Sequence, residues 1–269
     1  SGDKSQASRG SGDFWIIKIN AAGVKQWDKR FGGTNYDELF EAQETFDGGF
    51  ILGGWSNSGI GGDKSQASQG AGDYWIVKTD ALGNLQFDKT FGGSFEDYLQ
   101  SIKQTSDSGF ILAGRSNSGI SGDKTQANRG TIGSGWDYWV VKINKLGVKQ
   151  WDKTYGGTAD DQLFAVHQTN DGGYILGGYS DSPISGEKSQ NTQGLEDYWM
   201  IKTDASGNLQ WDKTFGGTSV DQLQTILPTS DGGYLLGGGS ASGANGDKSQ
   251  GSRGNFDYWL VKTSNTGTK

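Results

Sequence analysis

The sequence contains no cysteine, and its 269 residues include two prolines, one methionine and a single histidine. The lack of thiols excludes disulfides and thiolate-bound metals, and it leaves the compartment open, since secreted proteins without cysteine are common. One histidine, His167, leaves nucleophile–base pairs almost without a base. No apolar run approaches the roughly 20 residues that cross a bilayer as a helix, so membrane insertion is not expected. Basic charge is not concentrated either. The 24 Lys and Arg are spread along the chain against 31 Asp and Glu, for a net charge of -7. A nucleic-acid backbone would meet a repulsive average field, so nucleic acid is not an expected partner.

Glycine and aromatic residues are what the chain has in quantity: 47 Gly, and 12% Phe, Trp and Tyr, ten of them Trp. Glycines beside aromatics suit short strands joined by tight turns. The mean hydropathy of -0.65 is low, but a disordered chain lacks the aromatic content seen here.

An internal repeat organises these residues. An aromatic segment recurs as DFWIIKIN, DYWIVKTD, DYWVVKIN, DYWMIKTD and DYWLVKTS, near residues 13–20, 73–80, 137–144, 197–204 and 257–264. Its Trp residues are Trp15, Trp75, Trp139, Trp199 and Trp259, a period of 60 residues with one four-residue insertion in the TIGSG stretch before Asp137. After the aromatic segment come a turn, a second segment ending in FGG or YGG, and a third segment with alternating apolar positions. A DGG or DSG hairpin signal and a fourth segment with a Gly-Gly or Ala-Gly pair follow. A long polar loop containing GDKSQ or a close variant then returns to the aromatic segment and reads as the joint of the array.

Four antiparallel strands per unit, apolar on both faces, predict sheets that stack against one another. The expected fold is all-β, a single β-propeller domain over residues 1–269 with four-stranded antiparallel blades, four or five in number. The competing β-solenoid has shorter repeats without a hairpin in every turn. Four sets of the second, third and fourth segments accompany five aromatic ones, which predicts four complete blades and a surplus strand. Self-association through terminal strands is a corresponding expectation.

The strings DYWIVKTDALGNLQFDKTFGGS and DYLQSIKQTSDSGFILAGRSNS closely resemble repeats of secreted and surface proteins of Bacteroidetes, cargo of the type nine secretion route, and are similar to the delta-sixty class of propeller repeats. The resemblance covers essentially the whole chain. It implies a propeller-like fold and a secreted or cell-surface bacterial location, and it implies no catalytic residues.

Candidate sites are recurrent. His167 has Gln43, Lys103 and Leu227 at its equivalent positions, so it reads as a strand residue, and the chain is not expected to be an enzyme. The acid after FGG (Asp37, Asp97, Asp161, Asp221) should bond the amides of its turn. The strand lysines (Lys18, Lys78, Lys142, Lys202, Lys262) should pair with carboxylates such as Asp28 of QWDK. Calcium is the one cofactor worth testing. Two acids per long loop could join hydroxyls and carbonyls in an oxygen cage: Asp3 and Asp13, Asp63 and Asp73, Asp123 and Asp137, Glu187 and Asp197, Asp247 and Asp257. The lysine after each first acid counts against that cage, and reads instead as directed to solvent. For ligand binding, the position after the fourth segment's glycine pair (Trp55, Arg115, Tyr179) offers an exposed platform. The expected function is a non-catalytic adhesion or recognition module, with glycans or another surface protein as partners. A structural spacer or filament segment is the alternative, and an accessory domain of a polysaccharide-degrading enzyme is a third.

Overall fold

The structure, a computed structural model, describes residues 2–269. Among these residues the regular elements are strands, in five antiparallel sheets. The first has two strands, β1 (Phe14–Ile19) and β2 (Lys25–Phe31). Three four-stranded sheets follow: β3 (Asp37–Glu44), β4 (Phe50–Ser56), β5 (Asp73–Thr79) and β6 (Leu85–Phe91); β7 (Asp97–Gln104), β8 (Phe110–Ser116), β9 (Asp137–Ile143) and β10 (Lys149–Tyr155); β11 (Asp161–Gln168), β12 (Tyr174–Ser180), β13 (Asp197–Thr203) and β14 (Leu209–Phe215). The last has three strands, β15 (Asp221–Pro228), β16 (Tyr234–Ser240) and β17 (Asp257–Thr263).

Every strand lies where the repeat places it, but the sheets are phased differently from the repeat. A sheet begins with the third segment and ends with the second, so three sheets are complete rather than four, and both end sheets are partial. The long GDKSQ loop therefore connects β4 to β5 inside one sheet. The covalent joint between sheets is the short FGG turn.

Alternation along the aromatic strand explains the stacking. Tyr74 and Ile76 pack forward into a core with Leu99, Ile102, Leu112 and Trp139 of the next sheet. Trp75 and Val77 point the other way, into Phe14, Phe31 and Leu52. Each forward Tyr caps the contact by donating to a main-chain carbonyl of the next Trp: Tyr74 to Trp139 at 2.8 Å, Tyr138 to Trp199 at 2.9 Å and Tyr198 to Trp259 at 3.0 Å. The rings themselves sit 4.7–4.8 Å apart. A buried phenol needs such a partner, so the pair fixes register as well as burial.

Glycine pairs on the fourth strand allow the close approach. A Cβ on Gly53 would meet Leu99 and Ile102 of the next sheet, and one on Gly177 would meet Leu223 and Ile226. The DGG hairpins turn at a left-handed residue, Gly48, Gly172 or Gly232; in the DSG copy Ser108 takes that place with φ 66°, the one non-glycine residue of positive φ among those described. Strands β3, β7, β11 and β15 lie side by side, while β6, β10 and β14 have no comparable packing with one another. The sheets thus fan outward from one edge.

Candidate functional site

The recurrent polar residues converge at one end of every sheet. In register, Asp37, Ser56 and Asp73 form a row across β3, β4 and β5, repeated as Asp97–Ser116–Asp137, Asp161–Ser180–Asp197 and Asp221–Ser240–Asp257. The third-strand acid behaves as the sequence predicts. Its carboxylate accepts from the second FGG glycine, at 2.7 Å for Gly33, Gly93 and Gly157 and 2.8 Å for Gly217. The second loop acid closes its own loop: Asp137 accepts from the Arg129 amide at 2.6 Å, and Asp73 and Asp197 from those of Gln69 and Gln193. Its other oxygen rests on the first FGG glycine, where a Cβ on Gly32, Gly92, Gly156 or Gly216 would collide with it. In the complete sheets these acids are fully buried, and burial pushes Asp73 and Asp137 up to about 7 and Asp197 to about 6.

The first loop acid goes elsewhere. It reaches back to the preceding sheet and meets a loop residue there: Arg9 with Asp63 at 2.6 Å, Arg129 bidentate on Glu187, Gln69 on Asp123 and Gln193 on Asp247. The two acids expected to share one calcium cage thus serve different joints. Among the described residues no group of three or more His, Cys, Asp or Glu is arranged to hold a metal ion. Asp3, Asp13 and Asp257 occupy the corresponding positions in the end sheets, Asp13 accepting from the Arg9 amide and Asp257 from that of Arg253.

The lysine beside the first acid does not point to solvent. Lys64, Lys124 and Lys188 are 1–2% exposed, each donating to a Thr hydroxyl (Thr90, Thr154, Thr214) at 2.5–2.7 Å, with its ammonium 5.4–5.7 Å from the centre of a buried Trp ring. Burial lowers each to about 8, against the pull of three nearby aspartates. A long stem among aromatic rings and a cation over a π face account for the placement. The fixed spacing from this Lys to the next Trp, equal for Lys64 and Lys188 and lengthened by the insertion for Lys124, is its one sequence signal. The strand lysines do not meet the acid of QWDK: Lys78, Lys142 and Lys202 bind the hairpin acids Asp47, Asp107 and Asp171 at 2.8–3.0 Å and donate to the Gln of that motif, Gln86, Gln150 and Gln210, at 3.0–3.1 Å. The QWDK acid instead accepts from the Trp indole, as Asp88 does from Trp75 at 3.1 Å.

The expected platform is not an open one. Trp55 and Tyr179 are 8% exposed, and Arg115 is half-buried. They belong to a ladder that crosses the sheets. Trp55 stacks on Tyr98 at 5.3 Å and donates to Glu96; Arg115 lies over Tyr98 and Trp136; Phe164 stacks on Tyr179 at 5.4 Å. Ring faces spent on one another leave edges for a ligand. His167 sits half-buried near Lys103 and Glu41, its basicity lowered by burial first and Lys103 second. Glu41 ties β3 to β7 by accepting from Ser101, the Ile102 amide and Lys103.

Among the exposed apolar side chains, one row is periodic. Ile60, Ile120 and Ile184 occupy one position of successive long loops and are 71%, 69% and 59% exposed. No family model matches the chain, and no curated protein does. Among solved structures, a Bacteroides caccae protein of unknown function aligns over 96% of this chain and 92% of its own, at 10% identity and a TM-score of 0.38.

Proposed function

We propose that this chain is a non-catalytic, secreted or surface-located adhesion or recognition module of bacterial origin, whose contact surface is the outer row of loop tips. One observation carries this reading: an apolar side chain stands exposed at the same loop position in three successive units, Ile60, Ile120 and Ile184. Isolated apolar residues on a surface are ordinary, but a periodic row offers several weak contacts to a partner that is itself extended or repeated. The apolar faces of glycan rings and a neighbouring surface protein both fit that description. The recurrent acids are left out of the role because they are buried inside the array, Asp73, Asp97, Asp137, Asp161, Asp197 and Asp221 each using one oxygen on a loop or turn amide while the other has no hydrogen-bond partner. Calcium is kept out of the mechanism for the same reason, as the two loop acids serve separate joints.

The fanning of the sheets supports a propeller-like curvature, with the third-segment strands innermost. Binding to a glycan array and to bacterial surface extracts, compared between the parent chain and an Ile60→Asp, Ile120→Asp, Ile184→Asp variant, tests the reading. Binding by the parent that falls by about tenfold or more in the variant supports it. Equal binding by both, or none by either, sinks it. The second reading, a spacer or filament segment, is favoured by the four like interfaces that stack successive sheets.

A further inference from the structure

The repeat supplies a control for every position, so a residue that departs from its copies stands out. Three such departures meet in one groove between two complete sheets, β3–β6 and β7–β10. Phe46, on the β3–β4 hairpin, has Ser106, Asn170 and Ser230 at its equivalent positions. Lys145, on the β9–β10 turn, has Ala21, Ala81, Ala205 and Asn265. Phe87, on β6, stands where the other copies carry Trp27, Trp151 and Trp211. The three are distant along the chain and line the same groove.

The exchange at Phe87 makes room. In the other interfaces the indole packs on an aromatic residue of the next sheet, Trp27 on Phe50, Trp151 on Tyr174 and Trp211 on Tyr234, with ring centres 5.6–6.2 Å apart. A phenyl fills less of that space, and the groove beside Phe87 and Phe110 measures about 750 Å³. The groove at the same place in the last interface, beside Asn170, Tyr234 and Asn265, measures about 300 Å³. Phe46 stands at the rim with 73% of its surface exposed. Gln104 accepts from the Phe46 amide at 2.7 Å and Gln86 from Lys78 at 3.1 Å. Their amide nitrogens stay available as donors, that of Gln104 making only a long 3.4 Å contact with the Ser108 carbonyl. Asp47 is the one acid among the described residues lining the groove, and it pairs with Lys78 at 3.0 Å. Lys145 is therefore a surplus positive charge.

We propose that this groove binds a saccharide that carries a carboxylate, as a uronic acid does. The face of an aromatic ring is the negative side of its quadrupole, and it attracts the weakly positive C–H face of a pyranose. Phe46 supplies that platform, the two glutamine amides donate to ring hydroxyls, and Lys145 takes the carboxylate in a charge-assisted hydrogen bond. The groove lies at the hairpin end of the sheets, where Glu44, Phe50 and Thr79 stand in register. The long loops leave from the other end, beside Asp37, Ser56 and Asp73. The site is thus separate from the loop-tip row.

Titration calorimetry of the 1–269 chain with tetramers of galacturonic, mannuronic and glucuronic acid tests this. A galactose tetramer serves as the neutral match, and tetraglutamate as a charged chain without sugar rings. At least one acidic sugar should bind about tenfold or more tighter than either control. Phe46→Ser and Phe87→Trp should each weaken that binding by about tenfold or more, the first by removing an aromatic anchor and the second by filling its groove. Lys145→Ala should bring the acidic sugar down to the affinity of the neutral one. Each exchange installs a residue that another copy already carries, so circular dichroism should show the sheets intact. The Ile60, Ile120, Ile184 variant should bind the acidic sugar as the parent does, which separates this inference from the loop-tip reading. A parent chain that binds none of the acidic sugars, or binds either control equally well, overturns the inference. So does binding that is indifferent to Phe46→Ser and Lys145→Ala, or that is lost with the loop-tip isoleucines.

Discussion

Strands β5 and β17 read DYWIVKT and DYWLVKT, differing at one residue. All seven residues of β5 are buried, whereas in β17 only Trp259, Val261 and Thr263 are. Tyr74 and Tyr258 occupy the same place in the same motif, at 0% and 96% exposure. The burial of a strand here is a property of its position in the stack, supplied by neighbours and not by its own letters. A repeat array carries its stability in such nearest-neighbour terms, so one substitution should have different consequences in the middle and at the ends.

The largest contrast is expected for tryptophan. Trp139 is fully buried between two sheets, and Trp139→Ala should cost about 3–5 kcal/mol, the usual range for emptying an aromatic site in a packed core. Trp15 keeps 38% of its surface exposed and faces no sheet on that side, so Trp15→Ala should cost clearly less. Denaturant midpoints of the two variants, read by far-ultraviolet circular dichroism, make the comparison. Equal losses would mean that stacking between sheets is not what stabilises the strands.

Glycine gives the next contrast. The first glycine of the FGG or YGG motif holds an ordinary negative φ, yet a Cβ on Gly156 would strike the Asp137 carboxylate and approach Asp161. Gly156→Ala should therefore cost about 1–3 kcal/mol through overpacking, with the backbone of the turn unable to retreat. Gly254, in the loop before β17, faces open space: a methyl added there would have no atom within 4 Å, and Gly254→Ala should leave the midpoint nearly unchanged. The two variants differ in nothing but what surrounds the added methyl.

How far the sequence can be read is clearest at these positions. The period locates the strands, because alternation and Asp-Gly hairpins are local signals that no neighbour overrides. The acid after FGG is legible for the same reason. The phase of the sheets is not, since a repeat can be cut at any point and only hydrogen bonding between β4 and β5 across the long loop decides where a sheet starts. Lys64 escapes a reading from sequence because a charge usually seeks water, and its Trp and Thr neighbours come from different strands. Trp55, Arg115 and Tyr179 look exposed in the sequence because their cover, Tyr98, Phe164 and Trp136, comes from elsewhere in the chain. In each case the missing information is a contact distant along the chain.

The buried charges make the interior sheets sensitive to pH. Asp73 and Asp137 are raised to about 7 in the folded chain, against 3.8 for an ordinary aspartate, so folding favours their protonated form. Stability from these groups is present below about pH 4 and is lost as pH rises through 7. Lys64 and Lys188, lowered to about 8 from 10.5, act in the opposite sense, and the array regains stability as pH rises from 8 toward 10.5. Denaturant midpoints between about pH 5 and 10 should therefore pass through a minimum near about 7–8. Asp137→Asn, which can still accept from the Arg129 amide, should flatten the descending limb while Lys124, Arg129 and Asp161 continue to face the site. A midpoint that climbs steadily from about pH 5 to 7 would contradict the buried acid row.

The smallest expected effect concerns a single hydroxyl, and it runs in opposite directions at two interfaces. Tyr198 Oη donates to the carbonyl of Trp259 at 3.0 Å, whereas its equivalent in the first interface is Phe14, whose ring packs on Trp75 at 4.6 Å without a hydroxyl. Tyr198→Phe keeps the ring and removes one buried hydrogen bond, a loss of about 0.5–1.5 kcal/mol. Phe14→Tyr supplies the missing donor where the other three interfaces have one. The Trp75 carbonyl stands in the same register as those of Trp139 and Trp199, each of which accepts from the preceding Tyr. If the interfaces are copies in geometry as well as in sequence, this exchange should stabilise the first by a comparable amount, and the double variant should return close to the parent midpoint, because sites this far apart contribute independently. A loss from Phe14→Tyr would mean that the first interface is packed differently from the other three.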